Sequence, residues 1–393
     1  MEIYLDHQAT TPLDPRVFEA MEPWLRNEFG NAASRSHAPG NRAADAVAKA
    51  REQIAALIGA PALSMIFTSG ATESLNLAIK GLATQYGDKK RHFITSRTEH
   101  PAVLDCVDWL ETQGFEITRL DVDRFGVPDE EMLRNHLRDD TLAVVLMAAN
   151  NEVGAVPDLE RIGSIIHESG VFFVCDGAQA VGKIPVDVER MKIDLLAISA
   201  HKFYGPKGVG ALFIRRKNPR VRLHAQMHGG GHERGYRSGT LNVPGIVGLG
   251  MAAQIAASEM SHDREHLSTL SQHFLRCLDD TQTYYEINGP MKARLPGNLN
   301  LRFPDIPSAM LIEHTPELAI SAGSACTSAV PKPSHVLRAM GLSGEAASEC
   351  VRIGVGRFTT ADEISQAADI IAQAVQTLKQ SGDLESRAMS CSL

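Results

Sequence analysis

The chain lacks the features that would assign it to several broad classes of protein. Its six cysteines include no Cys-x-x-Cys pair, which argues against a disulfide framework and a zinc ribbon. No long basic run occurs and the net charge is −8, so the composition gives no support to direct nucleic-acid binding. The N-terminus has neither the basic nor the apolar region of a signal peptide, and no apolar run approaches the ~18–20 residues of a membrane span. We therefore expect a protein of the reducing cytoplasm that binds no membrane, and we predict no metal site.

The residues that are present have the composition of an ordinary globular protein. They are 44% hydrophobic and 22% charged, and a chain of 393 residues is expected to form two domains. From about residue 16 to 215, short apolar strands such as HFITS, LAVVLMAA and VFFVCD alternate with amphipathic helices. This pattern predicts an α/β fold with a mostly parallel sheet covered on both faces. Functional residues are then expected in the loops at the strand ends.

The pattern changes near residue 258, after the apolar helix GIVGLGMAAQIAASEM. The residues beyond it have the pattern of an α+β unit, with strands predicted near LPGNLNLRF, ELAIS and ECVRIGVG. We therefore predict a large domain at residues 15–258 and a small domain composed of residues 1–14 and 259–393. The last dozen residues, GDLESRAMSCSL, are expected to form a mobile tail.

Two stretches of the predicted large domain suit an anionic, nitrogen-containing ring. TSGATES, at residues 68–74, leads into a helix whose N-terminus could bind a phosphate, although its Ser/Thr residues and Glu73 could equally form a capping box. VCDGAQA places Asp176 at the end of an apolar strand. That carboxylate could cap the next helix, or it could pair with a protonated ring nitrogen.

Two further stretches supply a lysine and an imidazole. In ISAHKFYGPKGVG, Lys202 could form a Schiff base or lie on a surface turn, and the neighbouring Ser199 and His201 could donate to a phosphate. In TEHPAVLD, His100 could stack on a flat cofactor or simply precede a helix on a solvated loop. A phosphate site, a partner for a protonated pyridine and an aldehyde-binding lysine together describe pyridoxal phosphate.

One cysteine lies in a segment of small residues, LAISAGSACTSAV, which contains Cys326. A structural cysteine prefers a packed apolar site, whereas a reactive cysteine needs exposure and access to its target. The segment therefore favours a reactive thiol. The other cysteines are expected to have packing or surface roles: Cys106, Cys175, Cys277, Cys350 and Cys391.

The sequence closely resembles the NifS/IscS-type cysteine desulfurases, which are fold type I pyridoxal-phosphate enzymes. The motifs TSGATES, NNEVG, SAHKFYGPKG, GGGHERGYRSGT and SAGSACTS occur in family order, and the resemblance runs from YLDHQATTPLDPRV to GRFTTADEI. A generic transaminase of this fold type would not account for SAGSACTS. The resemblance implies a fold type I PLP-dependent transferase, with a seven-stranded, mostly parallel sheet in its large domain.

The resemblance also implies a role for each matched residue. Lys202 forms the Schiff base with pyridoxal 5'-phosphate, His100 stacks on its ring and can move protons, and Cys326 is the nucleophile. The implied cofactor contacts are Ala71, Thr72, His100, Asn151, Asp176, Gln179, Ser199, His201, Lys202 and, toward the other subunit of a homodimer, Thr240. The implied ligands of the substrate carboxylate are Asn31 and Arg352.

The implied reaction converts L-cysteine to L-alanine through a ketimine, with the sulfur passed to Cys326 as a persulfide and then to an acceptor protein. The loop at about residues 322–335 resembles the long-loop branch of the family. Iron–sulfur cluster, thionucleoside and DNA phosphorothioate biosynthesis all stay open as destinations of the sulfur. The alternatives are a selenocysteine lyase or a cysteine lyase that releases free sulfide, and an inactive paralogue that serves as a binding scaffold. Retention of Lys202 and the other implied site residues disfavours the scaffold.

Overall fold

In a computed structural model, the chain is described over residues 2–322 and 333–390. Within those ranges it forms twelve strands and eleven α-helices. The strands are β1 (Ile3–Tyr4), β2 (Met65–Thr68), β3 (His92–Ser96), β4 (Glu116–Leu120), β5 (Thr141–Met147), β6 (Phe172–Asp176), β7 (Leu195–Ser199), β8 (Gly210–Ile214), β9 (Glu286–Ile287), β10 (Asn298–Arg302), β11 (Leu318–Ala319) and β12 (Cys350–Gly354). The helices are α1 (Pro15–Arg26), α2 (Ala38–Leu57), α3 (Ala71–Tyr86), α4 (Pro101–Thr112), α5 (Glu130–His136), α6 (Leu159–Glu168), α7 (Val243–Asp280), α8 (Ser308–Glu313), α9 (His335–Ala339), α10 (Gly344–Ser348) and α11 (Ala361–Ser390).

Seven strands form one central sheet in the order β2-β8-β7-β6-β5-β3-β4. The pairs β7–β6, β6–β5, β5–β3 and β3–β4 are parallel, whereas β8 runs antiparallel to both of its neighbours. This mostly parallel, seven-stranded sheet confirms the α/β fold class that the alternating strands and helices predict.

The local sequence explains why these elements form and where they begin. Every residue of β5 and β7 is buried, as expected for continuous apolar strands in a sheet covered on both faces. Helix α1 begins at Pro15, whose fixed φ suits a first turn, and the Asp14 carboxylate accepts a hydrogen bond from the backbone N–H of Arg16. Helix α4 begins in the same way, at Pro101 directly after His100.

The carboxyl ends of β3, β5, β6 and β7 meet at one edge of the central sheet because these strands are parallel. The segments that follow them read RTEH, AANN, GAQ and AHK. Strand β2 ends at the same edge and leads through Ser69 and Gly70 into α3. The topology therefore gathers the motifs singled out in the large domain at a single edge.

A second hydrophobic cluster lies apart from the central sheet. Strands β9, β10 and β12 form an antiparallel sheet, and β1 pairs in parallel with β11. Ile3 and Leu5 pack in this cluster with residues from the C-terminal third of the chain, among them Phe274, Leu301 and Ile353. The first residues of the chain thus pack against residues that are more than 260 positions away in the sequence. The exact division into domains at residues 15–258 stays a prediction.

Helix α7 contains a window that is long and apolar enough to cross a membrane, by length and composition alone. This differs from the expectation that no apolar run approaches such a length. The helix packs against α1, α2 and α11, and 56% of the window is buried inside the fold. The core helix of a folded protein shows the same apolar composition, because its surroundings are other side chains.

Helix α11 differs from the expectation at its C-terminal end. It continues to Ser390, beyond the point at which a mobile tail is predicted. The segment LESRAMS contains several good helix formers and no proline, so the sequence has no strong stop signal there. Residues 391–393, which include Cys391, lie outside the described residues.

A buried arginine joins three distant parts of the chain. The Arg357 guanidinium donates to the Asp263 carboxylate at 2.8 Å and to the Asp14 carboxylate at 2.9 Å, and its Cζ lies 4.3 Å from the centre of the Tyr204 ring. The arginine side chain is only 7% exposed. The network therefore connects the segment before α1, helix α7 and the segment after β12.

We expect the substitution Arg357→Met to lower the free energy of unfolding by about 3–5 kcal/mol, because it leaves the buried Asp263 carboxylate without its cation and removes one of the two arginines that contact Asp14. Equilibrium urea unfolding measures this change. Arg26→Met removes the exposed ion pair between Arg26 and Glu22 and serves as the control, with an expected loss of at most about 0.5 kcal/mol. Equal losses in the two variants would show that the Arg357 network does not stabilise the fold.

Candidate active site

A cavity of about 400 Å³ opens at the edge of the central sheet where the parallel strands end. Its volume lies within the range of pockets that bind small organic ligands. Its lining includes these residues predicted to hold cofactor or substrate: Ala71, Thr72, His100, Asn151, Asp176, Gln179, Ser199, His201, Lys202 and Arg352. The structure therefore brings together residues that are up to 281 positions apart in the sequence.

Lys202 ends the short 3₁₀ turn that follows β7. Its Nζ donates to the carbonyl oxygens of Gln8 and Ala9, at 2.7 and 2.8 Å. These carbonyls come from the N-terminal segment that crosses the sheet edge. The lysine is thus held at the cavity wall by acceptors that carry no formal charge.

Asp176 is the last residue of β6 and is buried in the cavity wall. Burial raises the pKa of its carboxyl group, while a hydrogen bond from the Ala178 backbone N–H at 2.9 Å and the nearby His100 and Lys202 oppose that increase. A carboxylate in such a position is stabilised further by any cationic group that enters the cavity.

His100 caps helix α4, because its Nδ1 accepts a hydrogen bond from the Ala102 backbone N–H at 3.1 Å. In the neutral ring the proton is therefore on Nε2. Burial lowers the pKa of His100, Asp176 opposes that decrease, and Lys202 and His335 add to it, so the net shift favours the neutral form near neutral pH. The cap fixes the position of an imidazole that lines the cavity.

Glu99, directly before His100, was not predicted as a site residue. Its Oε1 accepts from the Met147 backbone N–H at 3.0 Å, and its Oε2 has no hydrogen-bond partner within the described residues. Burial raises the pKa of Glu99 well above its usual value, and the neighbouring Asp176 raises it further. Burial therefore disfavours the charged form of Glu99, whereas the charged form of Asp176 is supported by the Ala178 N–H, His100 and Lys202.

The N-terminus of α3 forms one end of the cavity. Gly70 is the N-cap residue, and no side chain caps the helix there. The predicted capping box is present only in its Glu73 half, which accepts from the Ser69 backbone N–H at 2.7 Å. Ser199 Oγ lies 3.8 Å from the position that a Cβ on Gly70 would occupy. Helix N–H groups and a serine hydroxyl therefore face the same space, as an anion site requires.

His201 completes this end of the cavity and shares a hydrogen bond between its Nδ1 and Thr10 Oγ1 at 3.1 Å. Burial lowers the pKa of His201 to about 4, and Lys202, Lys207 and Lys183 lower it further. A neutral imidazole can still donate a hydrogen bond from one nitrogen.

Arg352, on β12, reaches the cavity from the second hydrophobic cluster. Its guanidinium donates to the Asn151 carbonyl oxygen at 3.0 Å and to the Asp6 carboxylate at 2.7 Å. The residue is 2% exposed, and its Nε has no hydrogen-bond partner within residues 2–322 and 333–390. A buried N–H donor without an acceptor is costly, so the position suits an anionic ligand.

Both ends of the undescribed segment 323–332 adjoin the cavity. Before it, Ser321 and Arg352 exchange backbone hydrogen bonds across an isolated bridge. After it, His335 lines the cavity and its Nε2 donates to the Glu99 carbonyl oxygen at 2.9 Å. Ser334 also bonds to Glu152, another lining residue. Cys326 itself lies outside the described residues.

Two predicted site residues lie away from the cavity lining. Asn31 is exposed, and its side-chain oxygen accepts from the Ala33 backbone N–H at 2.9 Å. Thr240 is exposed as well. The roles implied for Asn31 and Thr240 stay predictions. The role of Thr240 requires a second subunit. The described cysteines Cys106, Cys175 and Cys350 are buried and Cys277 is half-buried, all outside the lining.

Several lining or supporting residues were missed by reasoning from sequence. Gln8 and Ala9 hold Lys202 with backbone oxygens, which any residue type supplies, so no side-chain signal marks them. Lys183 donates to the Gln179 side chain at 2.9 Å, and its spacing of four residues on a short helical turn could have suggested that contact. His335 begins α9 after the Ser334 cap, and a histidine at the start of a helix carries no signal of its own for a cavity.

His7, next to Gln8, is a buried histidine of the N-terminal segment that does not line this cavity. It is 6% exposed, and its Nδ1 has no hydrogen-bond partner among the described residues. Burial, with a smaller contribution from the positive charge of Lys183, lowers the pKa of His7 to about 3.

The order of the central sheet and the lysine and carboxylate at its edge define a fold type I enzyme. The model of the family described as "Aminotransferase class-V" matches residues 3–367. The cysteine desulfurase IscS of Anaeromyxobacter sp. (strain Fw109-5) is 51% identical over 382 residues, which cover 97% of this chain and 94% of that protein. The chain therefore belongs to the class-V aminotransferase family and, within it, to the cysteine desulfurases of the NifS/IscS type.

Solved structures agree with this membership. A structure described as a NifS-like protein is 35% identical, with a TM-score of 0.89, and the match covers 96% of this chain and 100% of that one. A structure described as SspA in complex with cysteine is also 35% identical, with a TM-score of 0.80, and the match covers 92% of this chain and 100% of that one.

We expect His7 to make the fold less stable as the pH falls. Its pKa is lower in the folded state than in the unfolded state, so below pH 6.5 the unfolded chain binds the proton first. The contribution of His7 to the free energy of unfolding is fully present above pH 6.5 and is lost progressively as the pH falls to about 3. Between pH 7 and pH 5 the loss from this group is about 2 kcal/mol.

Urea unfolding of the purified protein at the two pH values measures this loss. In His7→Gln, the difference in unfolding free energy between pH 7 and pH 5 is expected to shrink by about 2 kcal/mol. The matched control is His136→Gln, because His136 is exposed. This variant is expected to keep the pH dependence of the unsubstituted protein. An unchanged pH dependence in His7→Gln would contradict the assignment of a buried, neutral His7.

Proposed function

We propose that this protein is a cysteine desulfurase that uses pyridoxal 5'-phosphate to convert L-cysteine to L-alanine and passes the sulfur to Cys326. One observation carries the proposal: a single cavity unites Lys202, Asp176 and Arg352 with both ends of the segment that contains Cys326. A generic aminotransferase site has no need of a thiol-bearing segment at its rim.

The cavity fits pyridoxal phosphate by the chemistry of its donors. The uncapped N-terminus of α3, with Ser199 and His201, suits the phosphate, and the buried Asp176 suits a protonated pyridine nitrogen. Lys202 lies in the same cavity with its amino group held by carbonyl oxygens. When bound, the cofactor supplies an electron sink for the carbon skeleton of an amino acid.

The substrate carboxylate is expected at Arg352. The buried Nε of this arginine has no partner in the described part of the chain, and the two other nitrogens are already held by Asn151 and Asp6. The guanidinium is therefore fixed in direction before a ligand arrives. A fixed arginine that recognises a carboxylate also orients the rest of a small amino acid.

Two groups can move protons at the substrate. The Lys202 amine lies in the cavity and can accept or return a proton once it is not bonded to the cofactor. The neutral His100 holds its proton on Nε2, because Nδ1 is occupied by the Ala102 N–H. The two groups approach the cavity from different strands, β7 and β3.

Sulfur transfer requires Cys326 to reach the bound substrate. Cys326 is five residues beyond Ser321, so an extended chain from that anchored point spans up to about 17 Å. The Cys326 sulfur forms a bond with the substrate sulfur as the substrate carbon–sulfur bond breaks. The electron pair of the broken bond and a proton remain with the carbon skeleton, so cysteine and thiol become alanine and persulfide.

The proposal includes a homodimer, a sulfur acceptor and a reducing, cytoplasmic setting. Thr240 and Asn31 are both exposed on this chain, so both are accessible to a second subunit. The acceptor is a protein that takes the persulfide sulfur, whether for iron–sulfur clusters, thionucleosides or DNA phosphorothioates. A reducing compartment keeps the Cys326 thiol available.

Lys202→Ala is expected to abolish the visible absorbance of covalently held pyridoxal phosphate, because Lys202 is the lysine whose amine the structure places at the Gln8 and Ala9 carbonyls in the cavity. Absorption spectra of the purified variant, with and without added cofactor, test this. The exposed Lys89 gives the control Lys89→Ala, which should keep the absorbance of the unsubstituted protein. An unchanged spectrum in Lys202→Ala would rule out the covalent role of this lysine.

Cys326→Ala is expected to lower the yield of alanine from L-cysteine at least about 100-fold, because the nucleophile that takes the sulfur is missing. Alanine and sulfide are measured in the presence of a reductant. Cys277→Ala, at a half-buried cysteine outside the cavity, should retain activity. Full alanine production by Cys326→Ala would favour the alternative of a lyase that releases sulfide or selenide directly.

A further inference from the structure

The side chain of Gln179 is held from two sides at the cavity wall. Its Nε2 donates to the Gln8 carbonyl oxygen at 2.8 Å, and its Oε1 accepts from Lys183 Nζ at 2.9 Å. The Gln8 carbonyl oxygen also accepts from Lys202 Nζ at 2.7 Å. A continuous chain of hydrogen bonds thus runs from Lys183 through Gln179 and Gln8 to Lys202.

The turn after β6 produces this arrangement. The backbone N–H groups of Ala180 and Val181 bond to the Gly177 carbonyl oxygen, and that of Lys183 bonds to the Ala180 carbonyl oxygen. These bonds form a short helical turn, on which residues four apart lie on the same side. Gly182 has φ +81°, and a Cβ there would lie 2.7 Å from Phe203, so the turn passes close to the chain after β7.

The chemistry of the two neighbours determines which way the Gln179 amide points. A carbonyl oxygen only accepts, so the end that faces Gln8 must be the NH₂ group. A lysine ammonium only donates, so the end that faces Lys183 must be the amide oxygen. Because one N–H of Nε2 goes to Gln8, its second N–H is available to a ligand in the cavity that Gln179 lines.

We propose that Lys183 is a positioning residue that fixes the Gln179 amide with its N–H donor toward the Lys202 side of the cavity. The inference rests on the proposed function, because the group that meets this donor is the ring oxygen of pyridoxal phosphate next to its bond with Lys202. Lys183 does not line the cavity and acts on the cofactor only through Gln179.

The charges around Lys183 support this role. His7, His201, Lys202 and Arg352 are the titratable or charged groups near it whose interactions are resolved. Burial lowers the pKa of Lys183 to about 7, and Lys202 and Arg352 lower it further. An anionic ligand in the cavity counteracts these cations, and it favours the ammonium form that donates to Gln179.

The test is a pH titration of the visible absorption band of the enzyme loaded with pyridoxal phosphate. In Lys183→Met the Gln179 amide loses one of the two contacts that hold it, and the remaining bond to the Gln8 carbonyl lets its second N–H swing away from the cofactor's anionic ring oxygen. Without that donor the anionic oxygen favours a proton on the neighbouring Lys202 nitrogen, so the pKa of the band is expected to rise by about one pH unit. Lys183→Arg keeps a donor-only cation and should restore a titration close to that of the unsubstituted enzyme.

A second background separates positioning from a general effect of charge. In Gln179→Leu, the further change Lys183→Met is expected to move the band pKa by less than about 0.3 units, because Lys183 then has no amide to orient. Lys89→Met, at an exposed lysine, should titrate like the unsubstituted enzyme. Methionine is apolar and of similar length, so the half-buried site of Lys183 should accept it without loss of the fold.

The outcomes distinguish this inference from the function on which it rests. An unsubstituted protein that gains no visible band with pyridoxal phosphate would overturn the proposed function and this inference together. A normal band with an unchanged titration in Lys183→Met would overturn this inference alone. An equal shift with and without Gln179 would also overturn it, because Lys183 would then act by its charge and not through the amide.

Discussion

The hydrogen bonds from Lys202 to the backbone of Gln8 and Ala9 are the constraint on which the rest of the site depends. They place the N-terminal segment across the edge of the central sheet, between two hydrophobic clusters. Asp6 can then meet Arg352 from β12, and Asp14 can meet Arg357. One short stretch of chain thus connects the lysine of one cluster with the arginines of the other, and the cavity exists only where the two meet.

The charged and titratable groups around this cavity are unevenly distributed. Beyond the effect of burial, Lys202 and Arg352 both lower the pKa of Lys183 at one side, while Asp176 and Glu99 lie together where β3 and β6 end. Such separation of charge in a poorly solvated space selects a ligand that has negative groups at one end and a positive group at the other. Many titratable groups here depart from their usual pKa values because poor solvation disfavours the charged form of each of them.

Much of the fold followed from the sequence because its strands are nearly continuous apolar runs and its helices begin at prolines and acidic caps. Asp176, Lys202 and His100 could be singled out because each follows a strand of a parallel sheet, where side chains converge. The contact of Gln8 could not be predicted, because Gln8 contributes a backbone oxygen to a residue 194 positions away. The length of the apolar window in α7 and the C-terminal end of α11 differ from the expectations. Composition alone does not reveal which neighbours cover a helix. The roles of Asn31 and Thr240 depend on surfaces beyond this single chain.

The bridge between Ser321 and Arg352, and the bond from His335 to Glu99, have a consequence for kinetics. A thiol on a chain that is attached at both ends beside a cavity meets its target as an intramolecular partner. For short tethers the effective concentration of such a group is about millimolar, whatever the amount of enzyme present. If Cys326 is the first receiver of the sulfur, that step is independent of dilution, and only the later hand-over to another protein depends on how much acceptor is present.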